Sequence, residues 1–326
     1  MSAKHEVPEL SPTPPRTLRQ LRWVLALLAI AGVEVIGSAV VQGRVPEETS
    51  WREAAEYVRD EWQDGDLAVA APLWADPLVR LHMGDLIGVE DAGRADLAPY
   101  ERIWEFSIRG ARSTAARGDA AETIRFGRVT VNRYDLGPSP VLVDLTSRIG
   151  EAEVDVQGRA CTKQRRAFEG GGLFRGPAMP TERFFCGPAG WQWVGATVTE
   201  DLNMQNRYCI WQHPQDQDVP TQATFRDVEL GDEIVLHAGL YYDHERRLEN
   251  GPVTVQVLVD GEEVGRLTHR DGDGWERMVA DPTPMGEDKE RGDVSIVVSA
   301  PNPSLRTLCW AASTRRASER DDEEER

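Results

Sequence analysis

The chain has 326 residues, 55 of them acidic against 37 Lys or Arg, for a formal net charge of −18 at pH 7. A surface of that sign excludes nucleic acid as a partner and should hold the folded part off an anionic bilayer. Length and a hydrophobic content of 40% leave room for more than one folded unit.

Residues 1–22 carry Pro8, Pro12, Pro14 and Pro15 among polar residues and read as a disordered cytoplasmic tail. Leu21–Val41 follows as an apolar stretch, and between Trp23 and Val41 its one ionisable side chain is Glu34. About twenty such residues can cross a bilayer as a helix, so 23–43 is expected to be a transmembrane anchor. Lys4, Arg16, Arg19 and Arg22 before it, and Glu47, Glu48 and Glu53 after it, orient the N-terminus to the cytoplasm and the remainder outside the inner membrane. A cleaved signal peptide ending near Gly37-Ser38-Ala39 is the competing reading. A carboxyl at membrane depth is costly, so Glu34 either contacts a partner span or is protonated.

Residues 44–137 read as a small α/β domain. Ser50 as N-cap with Glu53 three residues on predicts a capping box, followed by Trp51, Ala54, Ala55, Val58 and Trp62 at helical spacing. Leu67–Ala71 predicts a buried strand, and Asp76-Pro77 opens a second helix running to Gly84. Arg102–Ile108 and Phe126–Tyr134 alternate as strands, while Ala111–Ala121 is helix-prone. No GxGxxG or P-loop occurs, so a nucleotide cofactor is not expected.

The run Trp51–Asp85 (WREAAEYVRDEWQDGDLAVAAPLWADPLVRLHMGD) resembles the soluble extracytoplasmic segment of bacterial GT-C type glycosyltransferases related to the protein O-mannosyltransferases. That family's catalytic acids sit between membrane spans absent from this sequence. The resemblance therefore implies a membrane glycosyltransferase as neighbour or partner, and no catalytic residue carries over.

From Val141 the texture changes to short β-rich runs separated by turns such as Leu230-Gly231-Asp232, Asp260-Gly261 and Pro301-Asn302-Pro303. This spacing predicts a β-sandwich over 138–313, similar to a jelly-roll carbohydrate-binding module, and a disordered acidic tail over 314–326. The expected fold class is thus α+β multidomain. Four cysteines on the exported side read as two disulfides with three pairings; Cys161 with Cys186 and Cys209 with Cys309 is preferred, the latter tying the first and last strands of the sandwich.

Within the sandwich, Trp211, Tyr241, Tyr242 and Trp275 stand near strand ends with Asp243 and His244 beside them. Rings for a sugar's C–H face and polar groups for its hydroxyls make these six the candidate ligand contacts. Asp271-Gly272-Asp273-Gly274 matches the start of a calcium loop for four residues only and reads as a hairpin turn, so no metal is expected. No GxSxG or HExxH is present. The function expected is a non-catalytic, membrane-anchored glycan-binding or accessory protein. The alternatives are a structural interaction module of an envelope complex and a carbohydrate-active hydrolase with unrecognised acids.

Overall fold

The structure, a computed structural model, describes residues 16–43, 45–167, 179–247, 250–282 and 289–317. The expectations placed on 1–15, 168–178 and 318–326 lie outside the described residues. Helix α1 (Arg16–Gln42) has 27 residues, and Leu25, Leu28, Ile30, Val33 and Ile36 on it are exposed, as is Glu34. Among the described residues no helix is long and apolar enough to cross a membrane. The anchor expected over 23–43 therefore has no support in the structure.

Helix α2 (Glu48–Glu61) buries Trp51, Ala54, Ala55 and Val58. It starts earlier than the expected cap: Ser50 lies in its first turn and its N–H donates to Glu47 O (3.1 Å). The Ser50 side chain is used for packing, since a Cβ on Gly127 would stand 2.5 Å from its Oγ. Strand β1 (Asp66–Ala71) is buried throughout. A 3₁₀ turn (Leu73–Ala75) leads into α3 (Asp76–Met83), with Pro77 in the first turn, where its missing N–H costs nothing. After the short α4 (Val89–Ala92) come β2 (Arg102–Ile108), β3 (Glu122–Phe126) and β4 (Val129–Asp135).

These strands form a sheet of order β1-β2-β4-β3 in which β1 and β2 are parallel and the other pairs antiparallel. The buried Asp66 carboxylate fixes its edge, accepting from Arg102 Nε and Nη2 (both 2.7 Å) and from Trp104 Nε1 (2.8 Å). The helix expected over Ala111–Ala121 is absent. Gly110 (φ 71°) and Gly118 (φ 68°) break the run into a stretch too short to repay helix nucleation. Ala115 and Ala116 instead pack on the sheet beside Ile103 and Tyr134.

The rest of the chain is a β-sandwich. Its strands are β5 (Val141–Asp144), β6 (Glu153–Val156), β7 (Arg159–Ala160), β8 (Thr162–Arg165), β9 (Glu182–Phe185), β10 (Trp193–Glu200), β11 (Asn206–Gln212), β12 (Thr221–Glu229) and β13 (Glu233–Leu240). A one-turn helix α5 (Tyr242–Glu245) precedes β14 (Val253–Val259), β15 (Glu262–His269), β16 (Glu276–Ala280), β17 (Arg291–Ser299) and β18 (Leu308–Arg315). One sheet runs β16-β13-β18-β11-β10-β9-β8, with β5 also on β18; the other runs β15-β14-β17-β12-β6-β7. Strand β18 continues through the buried Thr314 and Arg315, past the end expected at 313.

Alternation along each strand builds the core: Ile210, Leu236 and Trp310 from one sheet meet Phe225, Val257 and Ile296 from the other. The buried Gln212 bridges the layers, donating to Thr221 O (2.7 Å) and Ile296 O (3.1 Å) while accepting from Trp310 Nε1 (2.9 Å). The cysteines pair as Cys161–Cys186 and Cys209–Cys309. The second bond differs from expectation in its place: it joins β11 and β18, which are neighbours in one sheet, across 100 residues of sequence.

Candidate functional site

The six expected ligand contacts fall into two groups. Tyr241 and Tyr242 sit edge to face at 4.9 Å just after β13, and His244 lies 5.4 Å from Tyr241 with its Nδ1 3.0 Å from Thr307 Oγ1. Asp243 is ion-paired with Arg246 and Arg247. Tyr241 and Tyr242 are 3% and 1% exposed, so neither offers a ring face to a sugar.

Trp211 belongs to the other group. It stacks on Trp193 at 5.4 Å beside the Cys209–Cys309 bond and is likewise buried. Trp275 is half-buried over Gly239, where an added Cβ would meet its Cε3 at 2.9 Å. Arg207 lies 5.3 Å above its ring.

The Asp271–Gly274 turn closes on itself, Arg270 N–H donating to Asp273 Oδ2 (2.7 Å), and Asp271 pairs with the buried Arg306. Beside it, ligand atoms of His269, Asp273 and Glu276 lie within 4.8 Å of one another. His269, however, stands between Glu276 (2.6 Å from Nδ1) and Glu245 (3.4 Å from Nε2). Burial opposes its charge, but these two carboxylates outweigh that and hold the imidazole above its usual value.

A cavity of about 210 Å³ opens where the loop around α4 docks on the sandwich. The docking is tight for a reason visible at Gly93. Its carbonyl accepts from Tyr208 N–H at 2.6 Å, and an added Cβ would stand 2.5 Å from that same nitrogen. The loop holds its own shape through Asp91, which accepts from Gly88 N–H (2.7 Å) and Tyr100 Oη (2.8 Å), while Arg94 donates to Asp91 O (2.8 Å). Burial pushes Arg94 below the usual guanidinium value and, with Asp91, pushes Tyr100 well above the usual phenol value.

Beneath the loop, Asp96 is ion-paired with Arg315 of β18, and His237 Nε2 of β13 lies 3.7 Å from it. Burial works against Asp96 ionising, yet Arg315 and His237 keep its carboxyl below the usual range. His237 itself is pushed down to about 4, chiefly by burial, and is neutral at pH 7. Asp144 and Tyr208 complete the wall; the Asp144 carboxylate accepts from Thr146 and Ser147 N–H. The cavity thus presents donors (Arg94, Tyr208, Thr146) and acceptors (Glu90, Asp144) around the half-buried Tyr208 ring. None of its residues was among the sequence candidates, because they come from separated segments that share no local pattern.

No family model and no curated protein sequence matches the chain, so nothing supports the glycosyltransferase resemblance of Trp51–Asp85. Among solved structures, the CBM51-2 and INT domains of Clostridium perfringens ZmpB, in complex with GlcNAc, are similar to it at 14% identity and a TM-score of 0.30. That likeness covers 48% of this chain, which spans about a third (32%) of the other. CBM51 from Clostridium perfringens GH95, in complex with methyl-galactose, is similar at 11% identity and a TM-score of 0.27, over 37% of this chain and 81% of that one. A glycoside hydrolase family 43 arabinoxylan arabinofuranohydrolase from Bacillus subtilis, in complex with cellotetraose, is similar at 10% identity and 0.27, over 66% and 41%. With TM-scores this low, no ligand passes from these proteins to this chain, and the site's chemistry rests on its own residues.

Proposed function

We propose that this is a non-catalytic glycan-binding protein whose sugar site is the cavity between the α4 loop and the outer face of the β13–β18 sheet. The observation that carries the reading is the cavity's lining. Sugar hydroxyls donate and accept at once, and the wall offers both kinds of partner with the Tyr208 ring for the C–H face. Glu90, Asp91, Asp96 and Asp144 outnumber Arg94 and Arg315, which disfavours anions. Asp91 and Asp144 already hold their own loops through hydrogen bonds, which fits binding better than acid–base chemistry.

Two disulfides support an oxidising compartment, which on this reading lies outside the inner membrane. Tethering by α1, whose apolar side chains are exposed, belongs to the same reading, as does service beside an envelope glycosyltransferase.

The test is calorimetric titration of the detergent-solubilised full chain with a panel of neutral and amino monosaccharides. A sugar that binds should lose about tenfold in affinity with Tyr208→Ala, the loss of one stacked ring and its hydrogen bond. Tyr242→Ala should lower the melting temperature, because that ring is buried, and leave affinity unchanged. No binding to any sugar, or binding that Tyr208→Ala does not touch, would remove the proposal.

A further inference from the structure

In a chain with 55 acids, many of the described arginines meet a carboxylate: Arg59 pairs with Asp85, Arg102 with Asp66, Arg207 with Asp201 and Arg226 with Glu153 and Asp293. Arg109, Arg125 and Arg128 depart from this. All three are exposed, converge on one cleft of about 610 Å³, and among the described residues take part in no ion pair. Among the described residues no carboxylate lines the cleft; Pro46, Ile108, Gly110, Gly127 and Thr130 complete its wall. Arg109 sits there with φ of 58°, in the left-handed region, at the turn it shares with Gly110.

Two further features lie at the same place. The Arg109 guanidinium stands 5.8 Å from the ring of Trp74, which is 61% exposed, and the neighbouring Leu73 is 79% exposed. Pro46, in the cleft wall, follows the end of α1 at Gln42 by four residues, so the cleft lies near the C-terminal end of a helix rich in exposed apolar side chains. Cationic side chains beside exposed indole and leucine match a headgroup region, where phosphates meet the acyl boundary.

We propose that Arg109, Arg125 and Arg128, with Leu73 and Trp74 beside them, dock the α/β layer on an anionic lipid surface by seating headgroup phosphates in the cleft. The overall charge of −18 repels such a surface, and this cationic spot sets which face approaches it. The occupant is lipid rather than a soluble phosphate ester because a soluble ligand in the cleft would leave the exposed Trp74 beside Arg109, and the neighbouring Leu73, in water.

The experiment is hydrogen exchange on the full chain in vesicles of phosphatidylcholine alone, and with about one third phosphatidylglycerol to supply surface charge. Exchange over 72–82 and 105–130 should slow only with the anionic lipid, and the protection should fade at high salt. Each Arg→Gln change should lower the apparent affinity for the anionic surface about fivefold. The triple Arg→Gln variant should lose the protection and the triple Arg→Lys variant keep most of it, with unchanged thermal melting showing that both remain folded. Equal protection on the neutral vesicles, or protection that survives the triple Arg→Gln change, would overturn the proposal. So would the same protection from inorganic pyrophosphate without vesicles, which would make the ligand a soluble phosphate.

Discussion

At the scale of single residues, the buried histidines set how the protein answers to acid. His213 and His237 are both held neutral by burial, with values near 4 against an ordinary 6.5. The unfolded imidazoles take up protons near 6.5 and the folded ones only near 4. Across that window the unfolded state therefore binds more protons, and stability falls as pH drops. Each contributes on the order of 3 kcal/mol over the full window, at 1.36 kcal/mol per pKa unit. His269 has the opposite sign: raised by Glu245 and Glu276, it adds stability at low pH and loses it as pH rises through its folded value. The His269 contribution is constant below its unfolded value, so between pH 6.5 and 4 the depressed histidines His213, His237 and His244 decide the sign and acid should destabilise the fold. His237→Gln should flatten the dependence of melting temperature on pH in that window in part, since His213 and His244 remain. A slope unchanged from the parent would show that His237 does not titrate as its burial dictates.

At the scale of elements, the α4 loop is the piece whose placement matters most, and Gly93 is where it touches the sandwich. A Cβ 2.5 Å from Tyr208 N cannot be absorbed by a side-chain rotation, because the atom it meets is backbone. Gly93→Ala should therefore lift the loop from β11 and break the Tyr208 N–H bond to Gly93 O. Sugar affinity should fall by more than tenfold while the sandwich keeps its melting temperature within a few degrees, a distribution expected when a loop rather than a core is disturbed. Wild-type affinity in Gly93→Ala would mean the loop does not form the site.

None of this was legible in the sequence, whereas the strands largely were. Val253–Val259 alternates cleanly in sequence, and its side chains alternate between buried and half-buried along the whole strand. Alternation reports which side chains share a face and is silent on whether that face is covered. Trp211 and Tyr242 therefore looked available and are buried. Ala111–Ala121 failed for a different reason: alanine propensity favoured a helix, but two glycines in left-handed conformations and the packing of Ala115 and Ala116 decided otherwise. The short strands β7, β8 and β9 have too few residues for any period to emerge.

At the scale of the whole molecule, the α/β layer and the sandwich are joined by a charge. Asp96 lies in the loop after α4 and Arg315 in the last strand, 219 residues apart, and the two side chains are 4% and 3% exposed. Removing one partner of such a pair leaves a buried charge uncompensated, at a cost of about 3 to 5 kcal/mol, whereas replacing both with apolar groups is close to neutral. The cost falls on the contact between the two parts, since the sandwich core of Phe225, Ile296 and Trp310 does not involve Asp96. Arg315→Met should therefore split the calorimetric unfolding of the protein into two transitions, the α/β layer melting before the sandwich. Asp96→Leu combined with Arg315→Met should restore a single one. A single transition merely shifted downward in Arg315→Met would mean that the two parts fold as one cooperative unit without this pair. The cavity between them would then be a rigid feature of the fold instead of one held open by the Asp96–Arg315 bond.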